Sequence, residues 1–302
     1  MSPRAGRWLK RIGLALLVLL LLAAGTVWLG LELAQRKMQR RIDVNVQAVV
    51  LSDDPAAIER GRYLYASRGC VDCHGADGKG RVFLDDPNGM KIVGPHISPG
   101  AGSVTTSYRP EDWVRSIRHG VHPQGRPLLI MPSEDYNRLT NDDLAALVAW
   151  LRHMPASDQG LVGLVQLPLP VRALYGFGMI QDAAAKIDHN LPPQTPLPQG
   201  DTVAHGRYVA NMCLGCHGPQ LAGGRVPGGP PDWPPASRLA PGADSALQRY
   251  PDADALLKLF KTGKRPDGSA VKVMPFESLG AMSETDVRAL HAYLSSLRSP
   301  AK

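Results

Sequence analysis

From Ile12 to Leu31 the chain runs for 20 residues with Thr26 as its single polar position, the length of one helical bilayer span. A secretory leader would carry a shorter apolar run closed by a small-residue cleavage site, so the pattern predicts an uncleaved transmembrane anchor. Beyond it the apolar positions take up a helical period. In "TNDDLAALVAWLRHM" Leu144, Leu147, Val148 and Leu151 share one face behind Thr140 as N-cap, and in "SETDVRALHAYLSSL" Val287, Leu290, Leu294 and Leu297 rebuild it. "DDPAAIERGRYLYASRGC" opens with Asp53 or Asp54 as cap and Pro55 in the first turn, and "RPEDWVRSIRHG" has Pro110 early and Gly120 as terminator. Their later counterparts are "HGRYVANMC" and "DADALLKLFKTG". Gly61 and Gly206, each followed by Arg-Tyr, are expected to let the first helix of a unit cross its last helix closely, beside Trp150 or Tyr293.

The repetition has a register. A shift of 143 residues lays Cys70 on Cys213, Gly120 on Gly263, Met131-Pro132 on Met274-Pro275 and Thr140 on Ser283. Self-similarity of this kind means two copies of one structural unit. The expected organisation is an anchor with its flanks over residues 1–41, a first unit over 42–155, a Pro-rich linker over 156–200 and a second unit over 201–302. The fold class is mainly α. With 31 glycines and 27 prolines in 302 residues, short helices joined by shaped loops are favoured. A linker this long should pack or work, and "LVGLVQLPLPVRALYGFGMI" is apolar enough to wrap the two units or meet a membrane partner.

Net charge changes meaning once it is divided. The eight Lys/Arg and the single acid Glu32 of residues 1–41 account for the whole formal +7, leaving 26 residues of each sign in the remainder. That remainder has no basic excess of the kind nucleic-acid binding needs. Arg4, Arg7, Lys10 and Arg11 precede the span while Arg36, Lys37, Arg40 and Arg41 follow it, so charge alone does not orient the anchor.

The four cysteines carry the chemistry. Cys70-Val71-Asp72-Cys73-His74 and Cys213-Leu214-Gly215-Cys216-His217 both follow the C-x-x-C-H pattern of c-type haem attachment. Two thiols add to the two vinyl groups of one porphyrin, and the adjacent histidine is then held at the iron as an axial ligand. A four-cysteine zinc site would leave both histidines unexplained, and a thioredoxin-like pair would not need them. The expected cofactors are two covalently bound haem c groups. For the remaining axial positions, Met131 in "LLIMPS" and Met274 in "VKVMPF" stand at equal distances from the two motifs, and His/Met ligation raises the reduction potential. Met38, Met90, Met154, Met179, Met212 and Met282 read as core fillers. His96, His119 and His122 read as surface or loop histidines.

At these residues each half resembles a class I cytochrome c domain. More narrowly, "HISPG", "EDWVRSIRHGV", "IMPSEDYNRLTNDDLAALVAWLR" and "HGRYV…CLGCHGP" are similar to membrane-anchored cytochrome c subunits of bacterial alcohol and aldehyde dehydrogenases. The resemblance covers about residues 55–302, with two haem motifs where many such subunits carry three. It implies that the Pro95 carbonyl accepts from the ring N–H of His74, with Pro230 or Pro231 doing the same for His217. It also implies residues 42–302 in the periplasm, Met1 to Lys10 inside, and a place in the bacterial inner membrane.

With no open iron position evident, the expected function is electron transfer between respiratory partners: a dehydrogenase subunit or quinol-oxidising complex, a soluble cytochrome, and a terminal oxidase. No catalytic residue is assigned. The alternatives are a dihaem peroxidase-like enzyme with one displaceable methionine and an assembly or sensor subunit with structural haems.

Overall fold

A computed structural model describes residues 3–226 and 228–297; Met1, which the sequence assigns to the inner side, lies outside them. The apolar N-terminal pattern becomes one helix, α1 (Pro3–Gln39). It is long and apolar enough to cross a bilayer, and its apolar side chains from Ile12 to Leu29 are exposed. Its open row of leucines fits a membrane anchor.

Two helical units complete the chain. The first runs through α2 (Pro55–Ser67), the single turn α3 (Cys70–His74), strands β1 (Arg81–Asp85) and β2 (Lys91–Gly94), α4 (Pro110–His119) and α5 (Asn141–His153). Then come β3 (Leu164–Gln166), α6 (Leu169–Gly176) and α7 (Ala183–Lys186). The second unit runs through α8 (Val203–Val209), α9 (Leu214–His217), α10 (Ala253–Thr262), α11 (Phe276–Gly280) and α12 (Glu284–Ser296). The chain is mainly helical, as the periodicity predicts.

Helix starts obey local chemistry. Asp54 accepts from Ala56 N, Thr140 from Asp143 N, Asp252 from Ala255 N and Ser283 from Asp286 N, each satisfying an amide that the first turn leaves free. Gly120 (φ 65°) and Gly263 (φ 67°) end α4 and α10 in the left-handed region. Leu144, Leu147, Val148 and Leu151 bury against Leu64, Trp113, Val114 and Ile117 in one core. Val287, Leu290 and Leu294 bury against Val209, Leu256, Leu259 and Phe260 in the other, with Leu297 at its edge.

The expected crossings are present. A Cβ on Gly61 would stand 1.9 Å from the Ala146 carbonyl oxygen and 2.8 Å from Trp150 Cβ. On Gly206 it would stand 1.8 Å from the Ala289 oxygen and 2.7 Å from Tyr293 Cβ. Backbone meets backbone at both crossings, so only glycine fits.

One element escapes the helical pattern. β1, β2 and β3 form an antiparallel sheet in that order, with Arg81 opposite Gly94 and Lys91 opposite Gln166. β3 comes from the apolar segment after α5 and pairs with β2 while its three residues stay exposed. These strands have three to five residues, too few to show alternation in sequence.

Gly61→Ala and Gly206→Ala should each destabilise the protein by about 2–3 kcal/mol, because the new methyl must push a carbonyl aside. Guanidinium denaturation should show the lowered midpoint. An unchanged midpoint for both would mean the helices do not cross at these glycines.

Candidate haem sites

The first motif is a single helical turn with glycines in the left-handed region at both ends, Gly69 (φ 90°) and Gly75 (φ 75°). Helical spacing sets Cys70 and Cys73 on one side of that turn. Burial pushes both thiols up, each to about 12. Among the described residues no cluster of three or more His, Cys, Asp or Glu side chains could hold a metal ion.

Strand β2 delivers the second half of the site. It ends at Gly94, where a Cβ would stand 1.9 Å from the Cys73 carbonyl oxygen, so the strand end lies directly on α3. The next residue, Pro95, accepts from His74 Nδ1 at 2.9 Å. A carbonyl only accepts, so Nδ1 carries the proton and Nε2 keeps its lone pair. Burial lowers the His74 pKa, partly countered by the Pro95 carbonyl, so the ring is neutral at physiological pH. This is the ring state an iron ligand requires.

The second motif repeats this with one change. Cys213 leads into α9, burial pushes its thiol up to about 12, and Cys216 is likewise raised by burial. His217 Nδ1 donates at 2.7 Å, and the acceptor is the Ser237 carbonyl, not that of Pro230 or Pro231. The signal was available: laying "APG" (240–242) on "SPG" (98–100) puts Ser237 on Pro95. Gly80 N donates to His74 O and Gly223 N to His217 O, both at 2.9 Å, so the loop after each histidine turns back in the same way.

The two methionines sit on copies of one loop. After Gly120 a bridge pairs Val121 with Pro127, and after Gly263 one pairs Lys264 with Ala270. Leu128 N then donates to Gly120 O at 2.7 Å and Val271 N to Gly263 O at 2.9 Å. Met131 and Met274 come next, each half-buried, one beside the core that holds Cys70 and the other beside the core that holds Cys213. Of the methionines expected as fillers, Met90, Met154 and Met282 are buried. Met179 is 72% exposed and is no filler. His122 lies in a partly exposed loop as expected, but the other two histidines are not at the surface. His96 is fully buried with Nε2 2.8 Å from Ser98 Oγ, and His119 is buried with Nδ1 3.0 Å from His189 Nδ1.

A feature that the repeat does not announce joins the two sites crosswise. Tyr63 of α2 donates to Asp286 of α12 at 2.5 Å, and Tyr208 of α8 donates to Asp143 of α5 at 2.7 Å. Each tyrosine oxygen also accepts from the other unit's cap residue, Ser283 N at 3.0 Å and Thr140 N at 3.2 Å. The motifs themselves take part: Gly215 N donates to Asp135 Oδ1 at 2.7 Å, and Ser278 Oγ donates to Asp72. Asp135 and Ser278 each stand four residues after the aligned methionine of their own unit. Each haem-attachment motif is thus bonded to the methionine loop of the other unit.

Asp286 is the most enclosed of these carboxylates, at 1% exposure. Arg68 contacts it at 2.5 Å and His205 Nε2 lies 3.0 Å away. Burial pushes its carboxyl up, but Arg68, the Tyr63 hydroxyl and His205 outweigh this and hold it below the usual carboxylate range. Its stabilisation is therefore present above the unfolded value of about 3.9 and lost as pH falls through the lower folded value. Asp286→Asn should cost about 3 kcal/mol at neutral pH by leaving Arg68 buried without a counter-charge. Tyr208→Phe should cost about 1–2 kcal/mol. Thermal unfolding across pH 2 to 7 measures both, and the Asn variant should lose part of the wild type's stability decline below about pH 4. An Asn variant with wild-type stability throughout would show that the cluster holds nothing together.

Comparison with known proteins bears on both motifs. The family described as "Cytochrome C oxidase, cbb3-type, subunit III" matches residues 56–151 and again residues 202–294, one match around each motif. The chain is 29% identical over 288 residues to the fructose dehydrogenase cytochrome subunit of Gluconobacter japonicus, covering 85% of this chain and 57% of that protein. It is 29% identical over 273 residues to the cytochrome c subunit of the alcohol dehydrogenase (quinone) of Gluconobacter oxydans, covering 81% and 55%. With the gluconate 2-dehydrogenase cytochrome c subunit of Pantoea cypripedii it shares 26% identity over 279 residues, covering 82% and 62%. The chain thus spans little more than half the length of these relatives. The double match, falling on the two units that carry the paired thiols and the neutral histidines, shows that the chain belongs to this cytochrome c family.

Proposed function

We propose that the chain is a membrane-anchored dihaem c-type cytochrome that passes electrons between respiratory partners. In this reading Cys70 and Cys73 would hold one haem c with His74 and Met131 as iron ligands, and Cys213 and Cys216 would hold the other with His217 and Met274. The observation that carries it is the matched state of the two histidines: each donates Nδ1 to a backbone carbonyl, at 2.9 and 2.7 Å, and keeps Nε2 for iron. Bound haem c supplies a one-electron iron couple whose potential a thioether ligand raises.

The rest is the work of the chain. The Pro95 and Ser237 carbonyls fix ring orientation and tautomer. The loops after Gly120 and Gly263 carry a methionine toward each core. Hydrogen bonds such as Gly215 to Asp135 tie each attachment turn to the other unit's loop, limiting relative movement of the two sites.

Similarity to cytochrome subunits of fructose, alcohol and gluconate dehydrogenases supports a dehydrogenase subunit as electron donor, with a terminal oxidase as the acceptor at the far end. The long apolar helix α1 supports anchoring in the inner membrane, and haem attachment outside the cytoplasm would place residues 42–302 in the periplasm. The peroxidase-like alternative is not favoured, since both methionine loops are built alike and the relatives are named as cytochrome subunits.

Met131→His and Met274→His should each lower one midpoint potential while leaving the other largely in place, because a stronger donor replaces the thioether. Potentiometric titration of the purified protein reads this. Two unchanged potentials in both variants would remove the methionines from the ligand set.

A further inference from the structure

Helix α1 changes environment at Gly30. Its apolar side chains up to Leu29 are open, while Gly30 and Ala34 are covered by α6 and the residue after it. The contact is backbone-close: a Cβ on Gly176 would stand 2.0 Å from Gly30 O, and one on Gly30 would stand 2.7 Å from Phe177 Cε2 and 3.0 Å from Ala173 Cβ. Small residues four apart on one helix, met by small residues on the other, are how helices approach closely in membranes.

A polar clamp lies just beyond. Lys37 Nζ donates to Tyr175 O at 3.2 Å, and Arg40 holds Asp182 through both guanidinium nitrogens at 2.8 and 2.6 Å. The Tyr175 hydroxyl donates to Asp182 at 2.6 Å. Tyr175 and Asp182 are both buried, so α6 is fixed at one height along α1.

That height is the edge of the apolar span. Twenty residues ending at Leu31 cover about 30 Å, the thickness of the hydrocarbon core, and Arg36, Lys37, Arg40 and Arg41 come after it at headgroup level. Beside that contact the segment keeps apolar side chains open: Leu169 is 56% exposed, Leu174 37% and Met179 72%, and Phe177, whose ring edge touches Gly30, is still 44% exposed. Beside a spanning helix, the medium that meets such side chains is lipid, not water.

We infer that residues 169–179 form an interfacial segment that lies in the boundary between headgroups and acyl chains of the leaflet nearest the two cytochrome units. The inference rests on the anchor reading proposed above. It gives the exposed part of the linker a role, that of a second membrane contact setting the height and tilt of the cytochrome units. That setting is passed on through α7, where Ala183 packs on Gly120 and Lys186 pairs with Glu134 at 2.6 Å. Glu134 adjoins Asp135, the residue bonded to the second attachment turn.

The test uses the full-length, haem-loaded protein in vesicles of phosphatidylethanolamine and phosphatidylglycerol. The photoreactive p-benzoylphenylalanine replaces one residue at a time: Phe177, Met179, Leu20 within the span, or Val50, which is 90% exposed. After illumination, peptide mass spectrometry counts lipid adducts. Phe177 and Met179 should give adduct yields several-fold above Val50, with Leu20 also positive. Adducts at Leu20 alone would overturn the interfacial segment and leave the anchor standing. Background yields at Leu20 as well would overturn the anchor reading and this inference with it.

Discussion

Two helix crossings with no room for a side chain set the geometry of everything else. At Gly61 and Gly206 the first helix of each unit rests on the backbone of its last helix, against Ala146 and Ala289. Glycine is unfavourable inside a helix by roughly 1 kcal/mol, so its use here is explained by the packing it permits. The crossing fixes where α2 and α8 point, and each leads straight into an attachment motif. It also fixes α5 and α12, whose first turns carry Asp143 and Asp286.

Those two carboxylates turn a pair of similar units into one assembly. Each accepts from the tyrosine of the opposite unit's first helix, and each tyrosine accepts in turn from the cap amide beside the carboxylate. The arrangement has the character of an isologous contact, with the same patch used twice, here between two halves of one chain. The halves are not equal in detail. Asp143 takes both of its charge-assisted bonds from Arg60 of its own unit, whereas Asp286 is met by Arg68 from the other. Because Asp72 and Gly215 lie inside the motifs and also bond across, the contact that joins the units runs through the attachment turns themselves.

Much of this was legible as sequence. Thr140, Ser283, Asp54, Gly120 and Gly263 mark helix ends by local chemistry, and the crossing glycines declare themselves through the repeat. The C-x-x-C-H motifs need no tertiary context to be recognised. What stayed hidden depends on contacts far apart in the chain. The burial of His96 comes from Gly160, where a Cβ would fall 2.2 Å from the imidazole, a contact no local pattern encodes. The cross-unit tyrosines look like ordinary helix residues until their partners, more than 60 positions away, are in place. Met179 read as a filler because hydrophobicity reports a preference for leaving water without saying whether protein or lipid receives the side chain.

The proposed chemistry pairs each of two neutral histidines with two cysteines that take up one haem. The most direct measurement is the amount of haem that remains attached to the polypeptide after acid-acetone extraction, quantified as the pyridine haemochrome per mole of chain. Two covalent haems per chain is the predicted result, and one or none would contradict the pairing.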